Sequence, residues 1–381
     1  MIDIKNVRGE IDRIDHQLVD LFLKRLDIVA QVAASKRERG APVNDPARER
    51  EILSRVAGEV GPEYENGARL FFSTLFSISK ARQRALLNGE SELVKSVNDA
   101  AAKCVKFPTR ATVAVAGTEG SYAQQATSLM FPLPTIVYFN DFEKVFEAVE
   151  KGLCPYGILP IENSAAGSVI PVYDLMLKHR FRIVRALRLK IDHVLLAPHG
   201  VKLEDVREVS SHPHALAQCK NFFKAHPEIK TVAGLNTAIA AKEVAASGRR
   251  DVAVIASRAC ADLYGLDVIA EGVQDAAFNY TRFICISKNL EIYPDSNKFC
   301  VMLSLPHRPG SLSGIIAKFA SIDVNITKLE SRPIPGSDFE FRFTFEFEAP
   351  PTDRGVLCML AELARDPEIE HFDFLGAYSE K

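Results

Sequence analysis

Apolar residues recur at three- and four-residue steps along the first segment, through Ile4, Val7, Ile11, Ile14, Leu18, Leu21, Leu26, Val29 and Val32, with no proline among them. At about 100° per residue that spacing lays one stripe along a single long amphipathic helix ending near Arg37. Gly40 and Pro42 terminate it. Asp45-Pro46 then supplies an N-cap and a first-turn proline for a second helix, about Ala47 to Glu59, and a third follows Gly67 towards Leu87. The first helix is too long to bury its stripe against such short neighbours, which predicts an intertwined helical dimer.

Residues 88 to 109 are small and polar, with Asn88-Gly89 as a breaker, and read as a partly helical linker. From Thr112 the period changes. Short β-branched runs alternate with helical stretches: Thr112–Ala116, Asp141–Lys151, Tyr156–Pro160, Val184–Leu189, Asp192–Ala197, Val206–Ser210, Ala215–Ala225, Thr237–Ala246 and Val252–Ala256. Such a succession predicts an α/β domain with mainly parallel sheets. A third unit begins near Asp295: strand Phe299–Leu305, helix Ser311–Ile322, strands Asn325–Pro333 and Phe339–Glu348, helix Asp353–Arg365, strand His371–Tyr378. The order βαββαβ is that of a ferredoxin-like α+β fold. Phe339, Phe341, Phe343, Phe345 and Phe347 alternate with polar residues, which predicts one buried and one wet sheet face. The chain therefore reads as multidomain: all-α over 1–92, two-lobed α/β over 110–290, and α+β over 297–381.

Composition narrows the partners. With 47 basic against 49 acidic residues, no global field draws nucleic acid or an anionic membrane, and any anionic ligand must be held locally. The seven cysteines are scattered without C-x-x-C spacing, which fits a reducing cytoplasm rather than a disulfide framework or zinc site. The N-terminus lacks the apolar core of a signal peptide, and no apolar run nears the roughly 20 residues of a membrane-spanning helix.

Within the helical segment, Arg25 and Lys36 fall within about 20° of each other on the first helix, while Arg8 points elsewhere. Arg48 and Glu49 follow Asp45 by three and four residues, and Ser79 and Gln83 are four apart, so each set shares a helix face. Isolated, these are solvated charged faces. Together, Arg8, Arg25, Lys36, Asp45, Arg48, Glu49, Ser79 and Gln83 resemble the active-site pattern of the all-helical chorismate mutase family across residues 1 to 88. The resemblance implies that Arg8, Arg25 and Arg48 clamp the carboxylates of chorismate and that Lys36 and Gln83 donate to its ether oxygen. Asp45 and Glu49 would hold the ring hydroxyl and Ser79 would assist a carboxylate, with Arg8 supplied by a partner chain.

Residues 110 to 290 resemble prephenate dehydratase through Gly117-Thr118-Glu119-Gly120-Ser121-Tyr122, Pro160-Ile161-Glu162-Asn163-Ser164, Ser211-His212-Pro213 with Gln218, and Asn279-Tyr280-Thr281-Arg282-Phe283. That family implies two lobes with a cleft between them, Thr281 as the group assisting the departing hydroxyl, and Asn163, Ser164, Ser211, Gln218 and Arg282 around prephenate. Asn163-Ser164-Ala165-Ala166-Gly167 departs from the more usual Asn-Thr-Ser-Ser-Gly, which leaves prephenate and its amino analogue arogenate both open as substrates. His212 and His214 read as surface or cleft histidines, since no carboxylate cluster accompanies them to make a metal site.

Residues 297 to 381 resemble the ACT-type regulatory domain of these enzymes, through Gly310, Ser311, Leu312 and Ser313 at a helix start and Glu330, Ser331, Arg332 and Pro333 at a strand end. A helix start with a glycine suits a small carboxylate ligand, and the resemblance implies phenylalanine as allosteric inhibitor. The joint expectation is a homodimer or higher oligomer turning chorismate through prephenate into phenylpyruvate, with no metal or organic cofactor. A non-catalytic amino-acid sensor is the other class of reading, because two-lobed α/β domains also serve as binding proteins.

Overall fold

The computed structural model describes residues 3–276, 278–334 and 340–381; Phe339, counted above in the alternation, lies outside them. The chain divides into two compact units, Met1–Ser96 with Arg354–Glu370, and Val97–Asp353 with His371–Lys381. Among the described residues no helix is long and apolar enough to cross a membrane.

The first unit is built on α1 (Ile4–Arg39), α2 (Pro46–Glu59) and α3 (Glu65–Asn88), followed by α4 (Glu92–Lys103) in the segment read as linker. Asp3 caps α1 through the Lys5 N–H, and Gly40, at φ 63°, turns the chain out of it. Asp45 caps α2 by accepting from the Arg48 N–H at 3.1 Å. Both α1 and α2 pack on α3, yet only Val29 and Ala33 of α1 are buried. Ile4, Ile11 and Leu21 stay 63%, 51% and 62% exposed, so the N-terminal half of the stripe is uncovered in the single chain.

The second unit opens with β1 (Arg110–Ala116), α5 (Tyr122–Met130), β2 (Leu133–Phe139), α6 (Phe142–Glu150), β3 (Tyr156–Asn163), β4 (Gly167–Ser168), α7 (Ile170–His179) and β5 (Arg182–Lys190). The chain then leaves to build a second lobe from β6 (His193–Pro198), β7 (Glu208–Ser211), α8 (Pro213–Ala217), α9 (Lys220–Ala225), β8 (Lys230–Ala233), α10 (Thr237–Ala246), β9 (Val252–Ser257), α11 (Ala259–Tyr264) and β10 (Leu266–Ala270). It returns through β11 (Tyr280–Ser287). The single helix expected over 215–225 is thus two, broken at Gln218 and Cys219.

The sheets are mixed rather than mainly parallel. β1 pairs β2 and β3 in parallel, but β11 runs antiparallel to both β3 and β5, because the chain crosses to the second lobe after β5 and comes back along β11. In the second lobe the order is β10-β6-β9-β7-β8, antiparallel through β6 and parallel around β7. The lobes close on each other at Gly120 (φ 85°), where a side chain would meet the Cys260 thiol at 2.8 Å and where Ser257 Oγ donates to the Gly120 carbonyl at 2.9 Å.

The remaining elements are β12 (Lys298–Leu305), α12 (Ser311–Ser321), β13 (Asn325–Pro333), β14 (Phe341–Glu348), α13 (Arg354–Ala364) and β15 (Phe372–Glu380). Their strands lie in the order β13-β14-β12-β15, the ferredoxin-like arrangement, and β15 joins β5 so that one sheet runs through to β2. Gly376, at φ 146°, makes the join possible, since any Cβ there would collide with the Ile183 carbonyl.

The expected wet face of β14 is a third correction. Phe345 and Phe347 are fully buried, but so are Thr344 and Glu346 on the opposite face, at 2% and 1% exposure. Between β14 and β11 lie four strand spacings, about 19 Å in a flat sheet. Yet Arg282 of β11 reaches Glu346 at 2.6 Å, so the sheet curls and its polar face closes over an ionic cluster. Around Arg282 stand Glu380 at 3.0 Å, Tyr378 at 2.9 Å and Glu162 at 3.8 Å, with Lys298 also bonded to Glu380. Tyr173 of α7 covers the neighbouring stretch, with Lys328 and Arg332 over its ring.

Candidate active sites

In the helical unit, the Arg25 guanidinium bonds the Ser79 hydroxyl and the Leu75 carbonyl, and Ser79 in turn donates to Leu75 O at 2.6 Å. Burial pulls the Arg25 pKa below its ordinary value. Lys36 donates to the Val43 carbonyl at 2.7 Å, and the Gln83 carboxamide is buried with Oε1 unpaired among the described residues. Glu49 pairs with Lys80 at 3.1 Å, a partner that sequence reasoning did not single out, although Lys80 directly follows Ser79. Arg25, Ser79 and Gln83 thus gather on the buried face. Arg48 turns outward to Glu51 at 2.6 Å, Asp45 serves as the α2 cap, and Arg8 is exposed on the uncovered half of α1.

Between the two lobes lies a cavity of ≈ 640 Å³ lined by Ser121, Tyr122, Asn163, Ser168, His193, Gln218 and Thr281, among others. β11 carries Thr281 directly opposite Asn163 of β3. Asn163 Nδ2 donates to Thr281 Oγ1 at 2.9 Å and to Asn279 Oδ1 at 2.8 Å, while its Oδ1 accepts from the Ala165 and Ala166 N–H groups at 3.0 Å each. Asn279 Nδ2 donates to Gln218 Oε1 at 3.0 Å, and His193 Nε2 lies 3.3 Å from that same oxygen. Among the described residues lining the cavity there is no Lys, Arg, Asp or Glu. What faces it instead are the N-terminal turns of α5 (Ser121, Tyr122), α7 (Ile170, Pro171) and α10 (Asn236, Thr237), whose dipoles favour anions, although Pro171 has no N–H and Ser121 and Asn236 already accept from the Gln124 and Ile239 N–H groups.

Three expected ligand contacts sit elsewhere. Arg282 follows Thr281 on a strand, so it points to the other sheet face, into the ionic cluster and away from the cavity. Ser211 is fully buried and donates to the Ile255 carbonyl at 2.5 Å. Ser164 Oγ accepts from the Tyr280 N–H at 3.0 Å, bracing the loop rather than lining the cavity. His212 and His214 do line it, with burial, aided by the His214 charge, lowering the His212 pKa. Tyr122 and Asn279 lie in the quoted motifs but were given no role, and His193 was not singled out: it is a lone polar residue at the edge of the apolar run that follows it, where neither spacing nor periodicity marks it.

In the ferredoxin-like part, Gly310 (φ 89°) precedes α12, and Ser313 Oγ donates to the Gly310 carbonyl at 3.0 Å. Ser311 Oγ is buried without a partner among the described residues. On β13, Glu330 accepts from cavity-lining Ser168 at 2.6 Å, and Arg332 pairs with Asp174 at 3.3 Å.

Comparison with known proteins meets this geometry at two places. The prephenate dehydratase family model matches residues 113–291, and the chorismate mutase type II model matches residues 7–84. Arogenate dehydratase/prephenate dehydratase 1 of Arabidopsis thaliana is 38% identical over 67% of this chain and 69% of its own length. The chain belongs to the prephenate dehydratase family. It carries a chorismate mutase segment ahead of the dehydratase, and it is 28% identical to the bifunctional chorismate mutase/prephenate dehydratase of Aquifex aeolicus over 99% of this chain and 98% of that one. The chain spans between 58% and 69% of the length of the plant dehydratases it matches. A crystal structure of prephenate dehydratase from Arthrobacter aurescens in complex with L-Phe superposes with a TM-score of 0.64, at 31% identity, over 70% of this chain and 89% of that one.

Proposed function

We infer that the chain rearranges chorismate to prephenate in its helical segment, residues 1–92, and dehydrates and decarboxylates prephenate to phenylpyruvate in residues 110–290. An ACT-type segment, residues 297–381, tunes the second step to phenylalanine, and the setting is the cytoplasm. The observation that carries the dehydratase reading is Thr281, held by Asn163 at 2.9 Å on the wall of a cavity whose lining, among the described residues, includes no Lys, Arg, Asp or Glu side chain.

The rearrangement is unimolecular, so restraint and charge stabilisation suffice. Arg25 and Ser79 address one carboxylate, Lys36 and Gln83 the ether oxygen, and Glu49 the ring hydroxyl. Arg8 comes from a second copy. The exposed stripe of α1 supports that copy, because each aliphatic side chain it covers contributes about 1.5–3 kcal/mol. In the dehydratase, the N-terminal turns of α5, α7 and α10 hold the two carboxylates. The electron pair of the C–carboxylate bond moves into the ring as the C–O bond breaks. Carbon dioxide and the hydroxyl depart, the latter taking a proton, with the Thr281 O–H donating to the leaving oxygen. Apolar walls favour the loss of charged carboxylate. Regulation is supported by the bond from cavity-lining Ser168 to Glu330, and by the L-Phe complex of the Arthrobacter aurescens relative.

Purified protein given chorismate should accumulate phenylpyruvate, with phenylalanine suppressing the second product but not chorismate consumption. Prephenate as sole end product would remove the dehydratase reading. The plant relatives' names favour a second substrate, arogenate, and side-by-side turnover of both would rank them.

A further inference from the structure

One chain of hydrogen bonds fixes the protonation of a buried histidine. A backbone N–H can only donate, so the Ala165 and Ala166 amides compel Asn163 to turn Oδ1 towards them and Nδ2 towards Thr281 and Asn279. Asn279 must then present Oδ1 to Asn163 and Nδ2 to Gln218. Gln218 Oε1 is thereby an acceptor, and the only proton that fits the 3.3 Å contact from His193 is one on Nε2. Nδ1 of the neutral ring keeps its lone pair and lies 3.2 Å from the Tyr122 hydroxyl, whose one proton it shares with the Asp192 carbonyl at 2.8 Å. His193 is 3% exposed, and burial holds its pKa below the ordinary value, so the ring stays neutral at pH 7.

Two donors are left over by this arrangement. Thr281 Oγ1 already accepts from Asn163, which frees its own proton for the cavity, and Gln218 Nε2 has no acceptor among the described residues. We propose that His193, as its Nε2–H tautomer, is a positioning residue of the dehydratase: as the second donor on Gln218 Oε1 beside Asn279, it locks the carboxamide so that its NH₂ group, beside the Thr281 hydroxyl, faces the substrate's oxygen atoms. A glutamine free to turn over would present an oxygen to a dianion, which repels it. His193 touches Gln218 rather than the substrate, so its effect runs through substrate affinity.

The proposal rests on the cavity being the dehydratase site, and two measurements on the full-length chain separate the two ideas. In ¹⁵N spectra of imidazole-labelled protein, the resonances lost in His193→Gln should report a neutral ring protonated on Nε2. The Nδ1–H tautomer, or a charged ring at pH 7, would overturn the proposal whatever the reaction. In kinetics, His193→Gln places an amide N–H near the Nε2 position and should keep kcat/KM for prephenate within about threefold. His193→Leu should lose about tenfold or more, chiefly in KM, and under twofold in a Gln218→Ala background. Equal losses in the Gln and Leu variants, or additive losses with Gln218→Ala, would refute the positioning role. Should His193→Leu not fold, the Gln variant and the tautomer decide alone. Retained dehydratase activity in Thr281→Ala would instead indict the site assignment and leave the tautomer result standing.

Discussion

Replacing Glu346 by alanine removes the nearest counter-charge from a guanidinium that has almost no access to water. Arg282 is 6% exposed and Glu346 1%, with 2.6 Å between nitrogen and oxygen. Burial disfavours the Arg282 charge, and Tyr378, Glu346 and Glu380 around it more than reverse that, raising its pKa. Breaking a buried pair by deleting one member costs about 3–5 kcal/mol, because the other charge is stranded. Glu380, 3.0 Å from Arg282, still balances part of it, so the lower end applies, about 3 kcal/mol. For a unit of this size that lowers Tm by about 6 °C. The double variant Arg282→Met with Glu346→Leu leaves no stranded guanidinium and should recover about 2 kcal/mol of the summed single-variant losses. Urea unfolding of Glu346→Ala, of the single variants Arg282→Met and Glu346→Leu and of their double, followed with a probe in the dehydratase unit, measures both quantities. A loss under about 1 kcal/mol for Glu346→Ala, the scale of a solvated pair, would refute the claim that the curled sheet seals this cluster.

Lys36→Ala should lower chorismate mutase kcat/KM by about a hundredfold or more while leaving prephenate turnover intact, measured with each substrate separately. Acid should act through Glu380. Burial raises its pKa, but Arg282, Lys298 and Arg188 outweigh that and leave it lowered. The stabilisation is therefore present above the unfolded carboxylate value, about 4.3, and is lost as pH falls through the lower folded value. Glu380→Gln should flatten that acid limb of an unfolding-free-energy profile against pH.

How much of this was legible depends on what each signal needs. Helix positions in the first segment came from local periodicity, and Asp45 and Gly40 act at the ends where their chemistry places them. The mixed sheets did not, because the direction of β11 is set by the excursion of the chain into a second lobe, a long-range fact with no local signature. The dry reverse face of β14 likewise needs the curl that brings Arg282 to Glu346; the alternation alone reads as half-wet. Arg282 is different. Its position next to Thr281 implies the opposite face as soon as the motif is placed on a strand, and the motif was given no element. The break at Gln218 and Cys219, which turns Gln218 towards His193, is carried by no glycine or proline and shows only in three dimensions.

The central claim, that one cavity with Thr281 at its wall performs the dehydration apart from the helical site, is tested most directly by Thr281→Ala in the full-length chain supplied with chorismate. Chorismate should disappear at the unaltered rate and prephenate should accumulate, with phenylpyruvate formation down by about a hundredfold or more. Phenylpyruvate appearing at the original rate, or both activities falling together, would contradict it.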